Sequence, residues 1–416
     1  MTTTRTARPF DSRADEILKS LADSGQYKHL HLLDSPMDAA VTMVGADGKP
    51  REALCFCSNN YLGLANHPEV IEAGVEGLRR YGAGTASVRF ICGTFTPHNT
   101  IEATIARYMG AESAYTFVSC WTATEALFPT VCEAGDLIIS DELNHACIID
   151  AIRLTPVIKK GVHKAVYRHA DLGHLRERLQ AARANPEVTG QIWVVTDGVF
   201  SMEGAVADLP AIRRLCDEFD AMLVVDDSHG HGVMGPTGRG THEHFGRLPG
   251  APNHDPSKGV VDVFTGTLGK ALGGGAGGFV AGSKRLIELL IQRGRPTLFS
   301  NALPVTVACS ANKAIEILMA EPQRVARLRE NVAHARKSLK EAGFEVMDSP
   351  TAICPIIVGD TAKAIAMSKR LLELGVFVIG FGFPVVPEGT ARLRIQISAA
   401  HTKEHLDTLV AALKKL

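Results

Sequence analysis

No stretch of the 416 residues stays apolar over the roughly 20 residues that cross a bilayer, so no membrane-spanning helix is expected. Neither sign of charge dominates. Forty-four Lys and Arg stand against 45 Asp and Glu, a formal net charge of -1, which provides no footprint for nucleic acid or an anionic membrane. Cysteine is present but unpatterned: the nine are scattered and odd in number, and Cys55 and Cys57 are too close for a C-x-x-C metal pair. Reduced thiols in a cytoplasmic protein are expected, not a disulfide framework. The opening MTTTRTARPF is basic but has no apolar core of a secretory signal, and a frayed terminus is expected there. Internal repeats and low-complexity blocks are missing too. What is there, 45% hydrophobic and 21% charged residues, suits a globular chain with one large core and a smaller one.

DSRADEILKSLADSG predicts a first helix with Asp11 or Ser12 as cap and Gly25 as stop, and GADGKP predicts a turn. Beyond residue 50, short apolar runs alternate with helical patterns. The runs are LIIS (137–140), IWVVT (192–196), MLVVD (222–226) and VDVFTG (261–266). Between the second and third lies the amphipathic LPAIRRLCDEFD, with Asp208 and Pro210 at its start. Strand, helix, strand in that order requires crossovers and hence a mostly parallel sheet. Ligands of such sheets bind beyond the carboxyl ends of the strands, where DELNH, DGVFS, DDSHGHG and TLGK fall.

Near residue 300 the pattern changes to two long helical stretches, FSNALPVTVACSANKAIEILMA and RVARLRENVAHARKSLKEAG. Short strands EVMD, AICPIIVG, FVIG and LRIQIS then surround another helix. The expected architecture is α/β: a mostly parallel central sheet with helices on both faces, plus a smaller C-terminal α+β domain. The boundaries are an N-terminal segment 1–55, a large domain 56–300 and a small domain 301–416. The N-terminal segment is expected to pack against the small domain or across a partner subunit.

The densest signal is TGTLGKALGGGAGG, Thr265 to Gly278. It is not a nucleotide P-loop. Ala271 follows Lys270 where Ser or Thr must hold magnesium, and Phe264 stands where the first glycine belongs. A lysine amine for a Schiff base is the other reading. Pyridoxal phosphate (PLP) needs such a lysine, a carboxylate for its ring nitrogen, donors for its phosphate and a flat partner over the ring. Lys270, Asp226, Thr267 and His145 supply the four. Taken alone, a buried Asp is often a helix cap and a lone His a structural hydrogen-bonder. The order Asp, x, x, His, then Lys after a further strand is much harder to obtain by chance. His229 and His231 could share one face of an extended segment, but no third ligand presents itself and no metal is expected.

These residues bring a family into view. SNNYLGLANHPEV, ASVRFICGT, LIISDELNHACIIDAIRL, TDGVFSMEG, VVDDSHGHGVMG, TGTLGKALGG, RPTLFSNALP and ARLRIQISAAHT resemble the α-oxoamine synthases, fold-type I PLP enzymes. The likeness runs from about Phe56 to Thr402 and is strongest to the branch that acetylates glycine. It implies that an amino acid is condensed with an acyl-CoA thioester, glycine and acetyl-CoA giving 2-amino-3-ketobutyrate and CoA. It also implies roles. Lys270 forms the Schiff base and later moves the α-proton; Asp226 pairs with the ring nitrogen, and His145 stacks on the ring. His229 and Ser201 bond the phenolic oxygen. Thr267 and the N–H groups of Cys120 and Trp121 take the phosphate at a helix start, and Ser300 of a neighbouring subunit joins them, which requires at least a homodimer. Asn60 and Arg394 hold the substrate carboxylate, a planar task suited to arginine. The acyl-CoA channel is not located. Lys159, Lys160, His163 and Lys164 are basic, but a solvated surface run explains them.

Two places depart from that branch. WTATEAL follows Cys120, with Thr122, Thr124 and Glu125 where an Asp and small residues including glycines are expected, and DDSHGHG places His231 where relatives carry a small or hydroxyl residue. Either both are neutral, or they reshape the pocket for a larger amino acid such as glutamate or for another acyl thioester. An aminotransferase or aldolase on the same fold is a further alternative. A binding module that has lost catalysis is opposed by the presence of Lys270, Asp226, His145 and Arg394.

Overall fold

A computed structural model describes residues 8–45, 47–250 and 260–416; the first seven residues of the tail lie outside them. Seven strands form the central sheet: β1 (Ser113–Phe117), β2 (Leu137–Asp141), β3 (His163–Tyr167), β4 (Ile192–Asp197), β5 (Ala221–Asp226), β6 (Val263–Thr267) and β7 (Gly278–Gly282). Their spatial order is β1-β7-β6-β5-β4-β2-β3. Strands β6, β5, β4, β2 and β3 run parallel, and only β7 is antiparallel to both its neighbours.

The inner strands are mostly apolar because both their faces are covered. Val195 and Val224 face a core built with Ala123, Leu127, Ile148 and Ile152 from the helices Cys120–Val131 and Ala146–Ile158. Their neighbours Val194 and Val225 face the opposite core, with Leu179, Ile212 and Leu215 from Leu172–Ala184 and Leu209–Glu218. Asp208 caps the last of these helices, accepting from the Ala211 N–H at 3.0 Å. The edge strand β3 is half-exposed, which accounts for the basic run before and within it; Lys159 there pairs with Glu133 at 2.7 Å.

Three expectations need correction. The first helix is Pro9–Asp23, begun by Arg8; Asp11 lies inside and reaches back to the Arg8 N–H at 3.2 Å, because a proline starts a helix from its first position. EVMD is no strand: it makes a single bridge, Val346 to Ile356, and Arg336 takes the Met347 carbonyl that a ladder would use. FVIG divides between two sheets. Ile379–Phe381 joins Ala391–Gln396 and Ile353–Gly359 in a three-stranded antiparallel sheet. Val376–Phe377 instead lies parallel to Pro50–Cys55, in a sheet completed by Ala40–Val44 and Leu32–Leu33. The N-terminal segment is thereby bonded to the C-terminal α+β region, which also contains the long helices Val305–Ala320 and Gln323–Glu341.

Candidate active site

A cavity of ≈ 240 Å³ opens at the carboxyl ends of the parallel strands, lined by Cys120, Trp121, His145, Cys147, Asp197, Val199, Asp226, Ser228, His229, Thr267 and Lys270. Each strand end contributes: Asp197 ends β4, Asp226 ends β5 and Thr267 ends β6. Seven residues singled out in the sequence are thus brought together: Lys270, Asp226, His145, His229, Thr267, Cys120 and Trp121.

Lys270 Nζ lies 2.9 Å from His229 Nε2, and His229 Nδ1 lies 2.9 Å from the Tyr61 hydroxyl. Gln396 Nε2 donates to the same tyrosine oxygen at 3.1 Å. Burial lowers the pKa of the lysine, against the opposing pull of the Asp226 carboxylate. Burial, followed by the Lys270 charge, holds His229 well below the usual histidine range. A neutral imidazole against an amine of weakened basicity is the state a nucleophilic lysine requires.

Asp226 is fixed by the Ser228 N–H, 3.0 Å from Oδ1, and Cys120 Sγ lies 3.6 Å from Oδ2. His145 caps its helix: Nδ1 accepts from the Cys147 N–H at 3.2 Å, while the His145 backbone N–H donates to Asp197 Oδ2 at 3.2 Å. Burial depresses its pKa, partly offset by Asp226. Across the cavity, Ser119 caps Cys120–Val131 by accepting from the Thr122 N–H at 3.1 Å. Cys120 and Trp121 then present first-turn N–H groups without intrahelical acceptors, at the positive end of a helix. This approach requires Gly278: a Cβ there would stand 2.3 Å from Cys120 N and Cα.

Four expected residues do not line the cavity. Ser201 meets Arg394 through its carbonyl, 2.6 Å from Nε. Arg394 is buried, and its Nη2 has no hydrogen-bond partner among the described residues. The Asn60 amide donates to Met37 O and accepts from the Ala65 N–H, both at 3.1 Å. Ser300 lines a separate crevice with Arg89 and Tyr115.

The two departures are also placed outside the lining. Glu125 is half-buried on its helix, while Thr122 and Thr124 bond Ser119 Oγ at 2.7 Å and Cys120 O at 3.0 Å. His231 is 1% exposed and stacks on Phe279 with ring centroids 5.4 Å apart. The two histidines of HGH therefore serve different surroundings, and among the described residues no cluster of three His, Cys, Asp or Glu could hold a metal.

The sequence reading missed Asp197, Cys147, Ser228 and Val199. Asp197 is the register partner of Asp226, so the strand-end rule that picked one pointed equally to the other. Its buried carboxyl is pushed well above the ordinary range by desolvation and then by Asp226.

Asp227 faces the core instead. Its Oδ2 accepts from the Thr241 N–H at 2.7 Å, Oδ1 has no partner among the described residues, and burial pushes its pKa up to about 7. Between the ordinary 3.8 and about 7 the folded chain keeps a proton that the unfolded chain has lost, so this group's stabilising contribution declines as pH rises through that window. Asp227→Asn cannot titrate. Urea unfolding should show its stability relative to the parent growing from about pH 5 to about pH 8, by about 3 kcal/mol. A pH-independent difference would show that Asp227 is not the titrating group.

The donor set fits pyridoxal phosphate: an amine for its aldehyde, a carboxylate for its ring nitrogen, an imidazole for its ring face, and a helix start with a threonine hydroxyl for its phosphate. The comparisons agree. The family model for aminotransferase class I and II matches residues 51–413. The chain is 42% identical over 398 residues to bovine (Bos taurus) mitochondrial 2-amino-3-ketobutyrate coenzyme A ligase, covering 96% of this chain and 90% of that one. It is 44% identical over 404 residues to 8-amino-7-oxononanoate synthase of Symbiobacterium thermophilum, covering 96% of each. A solved structure of SPT with its PLP internal aldimine superposes with a TM-score of 0.86 at 28% identity, covering 98% and 96% of the two chains. The chain belongs to the aminotransferase class I and II family and, within it, to the PLP-dependent α-oxoamine synthases.

Proposed function

We propose that this enzyme condenses glycine with acetyl-CoA to give 2-amino-3-ketobutyrate and free CoA. The observation that carries the reading is the convergence of Lys270, Asp226, His145 and His229 on one cavity, in a chain 42% identical to a 2-amino-3-ketobutyrate coenzyme A ligase.

Pyridoxal phosphate supplies, when bound, an electrophilic carbon for amines and a protonated ring that draws electrons from the carbon beside an amino acid's carboxylate. The chain does the rest. The Asp226 carboxylate would hold a proton on the ring nitrogen, and His145 would face the ring. Thr267 and the N–H groups of Cys120 and Trp121 take the phosphate. Lys270 would hold the resting cofactor through its amine, and that amine, when free, would take the proton from the α-carbon of glycine. His229, from the cavity wall, would bond the phenolic oxygen, and Ser201, which lies outside the lining, would have to turn in to join it. Arg394 and Asn60 receive the substrate carboxylate, a role supported by the buried Nη2 of Arg394, which has no partner among the described residues.

Ser300 is assigned to the phosphate site of a second copy, making the working unit a homodimer. Phe90, Ile91 and Phe299 stand 60%, 68% and 72% exposed, and the Val88–Asn301 bridge sets their segments side by side, as an interface requires. Light scattering of a fully active enzyme should report a dimer; an active monomer would refute the shared site. Nine free thiols support a cytoplasmic location.

A second reading is favoured by the 44% identity to 8-amino-7-oxononanoate synthase, whose nine-carbon product demands a longer acyl donor. Mass spectrometry of the PLP-loaded enzyme, given each amino acid with acetyl-CoA and with longer acyl-CoAs, separates the two. Free CoA with 2-amino-3-ketobutyrate, or its decarboxylation product aminoacetone, is the expected result. Turnover only with another amino acid or a longer thioester would replace glycine and acetyl-CoA while keeping the chemistry.

A further inference from the structure

The turn carrying Ser201 is held largely by side chains of the C-terminal α+β region. Arg394 Nε donates to Ser201 O at 2.6 Å, and Arg392 Nη1 donates to Met202 O at 3.2 Å and to Glu203 Oε1 at 2.9 Å. Ser349 Oγ and Thr351 Oγ1 donate to Gly204 O at 2.6 and 3.2 Å. The seat is tight: Gly204 has φ +70°, and a Cβ on it would lie 2.6 Å from Thr351 Oγ1 and 3.0 Å from Ile353 O. Arg392 and Arg394 project from the same face of one strand, two positions apart, and every residue of that strand is buried. The Arg392–Glu203 pair is itself largely buried, with side chains 5% and 20% exposed.

We propose that Arg392 and Glu203 are positioning residues, whose ion pair sets the turn 201–204 against Arg394 so that substrate carboxylate binding and the aim of Ser201 at the cofactor are one coupled event. The proposal rests on the reading of Arg394 as the carboxylate site. Gly204 is already held twice, so the end of the turn is anchored without Arg392. What Arg392 adds is the orientation of Met202 and Glu203, which fixes the peptide whose carbonyl Arg394 grips. An anion arriving at Nη2 of Arg394 pulls on the guanidinium that holds the Ser201 carbonyl, and a turn tied at its next two residues transmits that pull to the Ser201 side chain. Because a buried ion pair broken on one side leaves an uncompensated charge, Glu203→Gln, nearly isosteric, is the cleaner probe, and Arg392→Lys tests whether charge alone suffices.

The experiment uses the PLP-loaded, full-length enzyme. Three quantities are measured for each variant: the glycine dissociation constant from the visible absorbance change, the pH midpoint of that absorbance without substrate, and the melting temperature. Glu203→Gln should weaken glycine binding about tenfold and move the midpoint, as loss of a partner behind a binding group does, and should also lower the melting temperature through the charge left uncompensated on buried Arg392. Arg392→Lys should recover part of what Arg392→Ala loses. A lowered melting temperature with glycine affinity and midpoint at parent values would reduce the pair to a structural staple and overturn the proposal. If Arg392→Ala does not fold, Glu203→Gln decides. Arg394→Gln separates the two levels: parent-like glycine binding there removes the carboxylate reading and the coupling with it, whereas weak binding there beside a parent-like Glu203→Gln sinks the coupling alone.

Discussion

Lys270→Ala should give a folded protein with no measurable condensation and no visible absorbance from lysine-bound cofactor. The fold should survive because the amine contributes no apolar packing, and its burial already works against the charged form. Both tasks assigned to it need the same nitrogen: holding the cofactor and moving the α-proton. Losing a covalent anchor and an acid–base group together predicts a drop of at least about 10⁴-fold in kcat. Single-turnover assays with mass detection and an absorbance scan test this directly. Ordinary turnover by the alanine variant would sink the mechanism, whatever the substrate.

Asp226→Asn is expected to be the next most damaging change. Asparagine keeps an oxygen for the Ser228 N–H, 3.0 Å away in the parent, so the loop 226–229 should hold its course. What disappears is the negative charge at the end of β5. A ring nitrogen without a carboxylate partner gives up its proton and with it most of its pull on electrons, predicting a loss of about 10²–10³-fold in kcat. A second effect has a definite sign. Asp226 raises the pKa of Lys270 against its burial, so its neutralisation should lower that pKa further and extend the amine form to lower pH. An unchanged kcat, or a pH profile displaced upwards, would remove Asp226 from its assigned place.

Much of this site is legible in the sequence, for a physical reason. Parallel strands buried on both faces read as apolar runs, and the first polar residue after each run marks the rim where ligands bind. Asp226 and Thr267 follow from that rule, and the coarse α/β architecture follows from the alternation of runs with helical patterns. The rule fails where a strand carries little apolar signal. Ser113–Phe117 begins with serine and Gly278–Gly282 is bounded by glycine, so neither stood out, although their pairing places Gly278 against Cys120. Cys147 lines the cavity because His145 caps a helix and turns its ring onto the residue two positions on, a local geometry that spacing does not encode. His231 stands where relatives carry a small or hydroxyl residue, which left open a neutral role or a reshaped pocket; the turn from Asp227 to Gly232 sends it into the core beside Phe279. Arg394 and Ser201 meet across nearly 200 positions of chain through a carbonyl, a contact with no local signature.

The parallel pairing of Leu54 with Val376 and of Cys55 with Phe377 sets a timetable for the ribosome. Some 320 residues must be added between the two partners, which at about 5–20 residues per second takes roughly 16–64 s. Throughout that interval the edge of Pro50–Cys55 that will receive its partner stands unpaired, next to the Ser58–Tyr61 turn that leads towards His229. The large sheet can form while the chain is still being made, since its strands all lie between residues 113 and 282. The Tyr61–Gln396 bond that braces His229 cannot. A nascent or truncated chain ending before Val376 would therefore carry a nearly complete cofactor cavity with an unbraced histidine and an open strand edge, a species for chaperones to shield rather than a working enzyme.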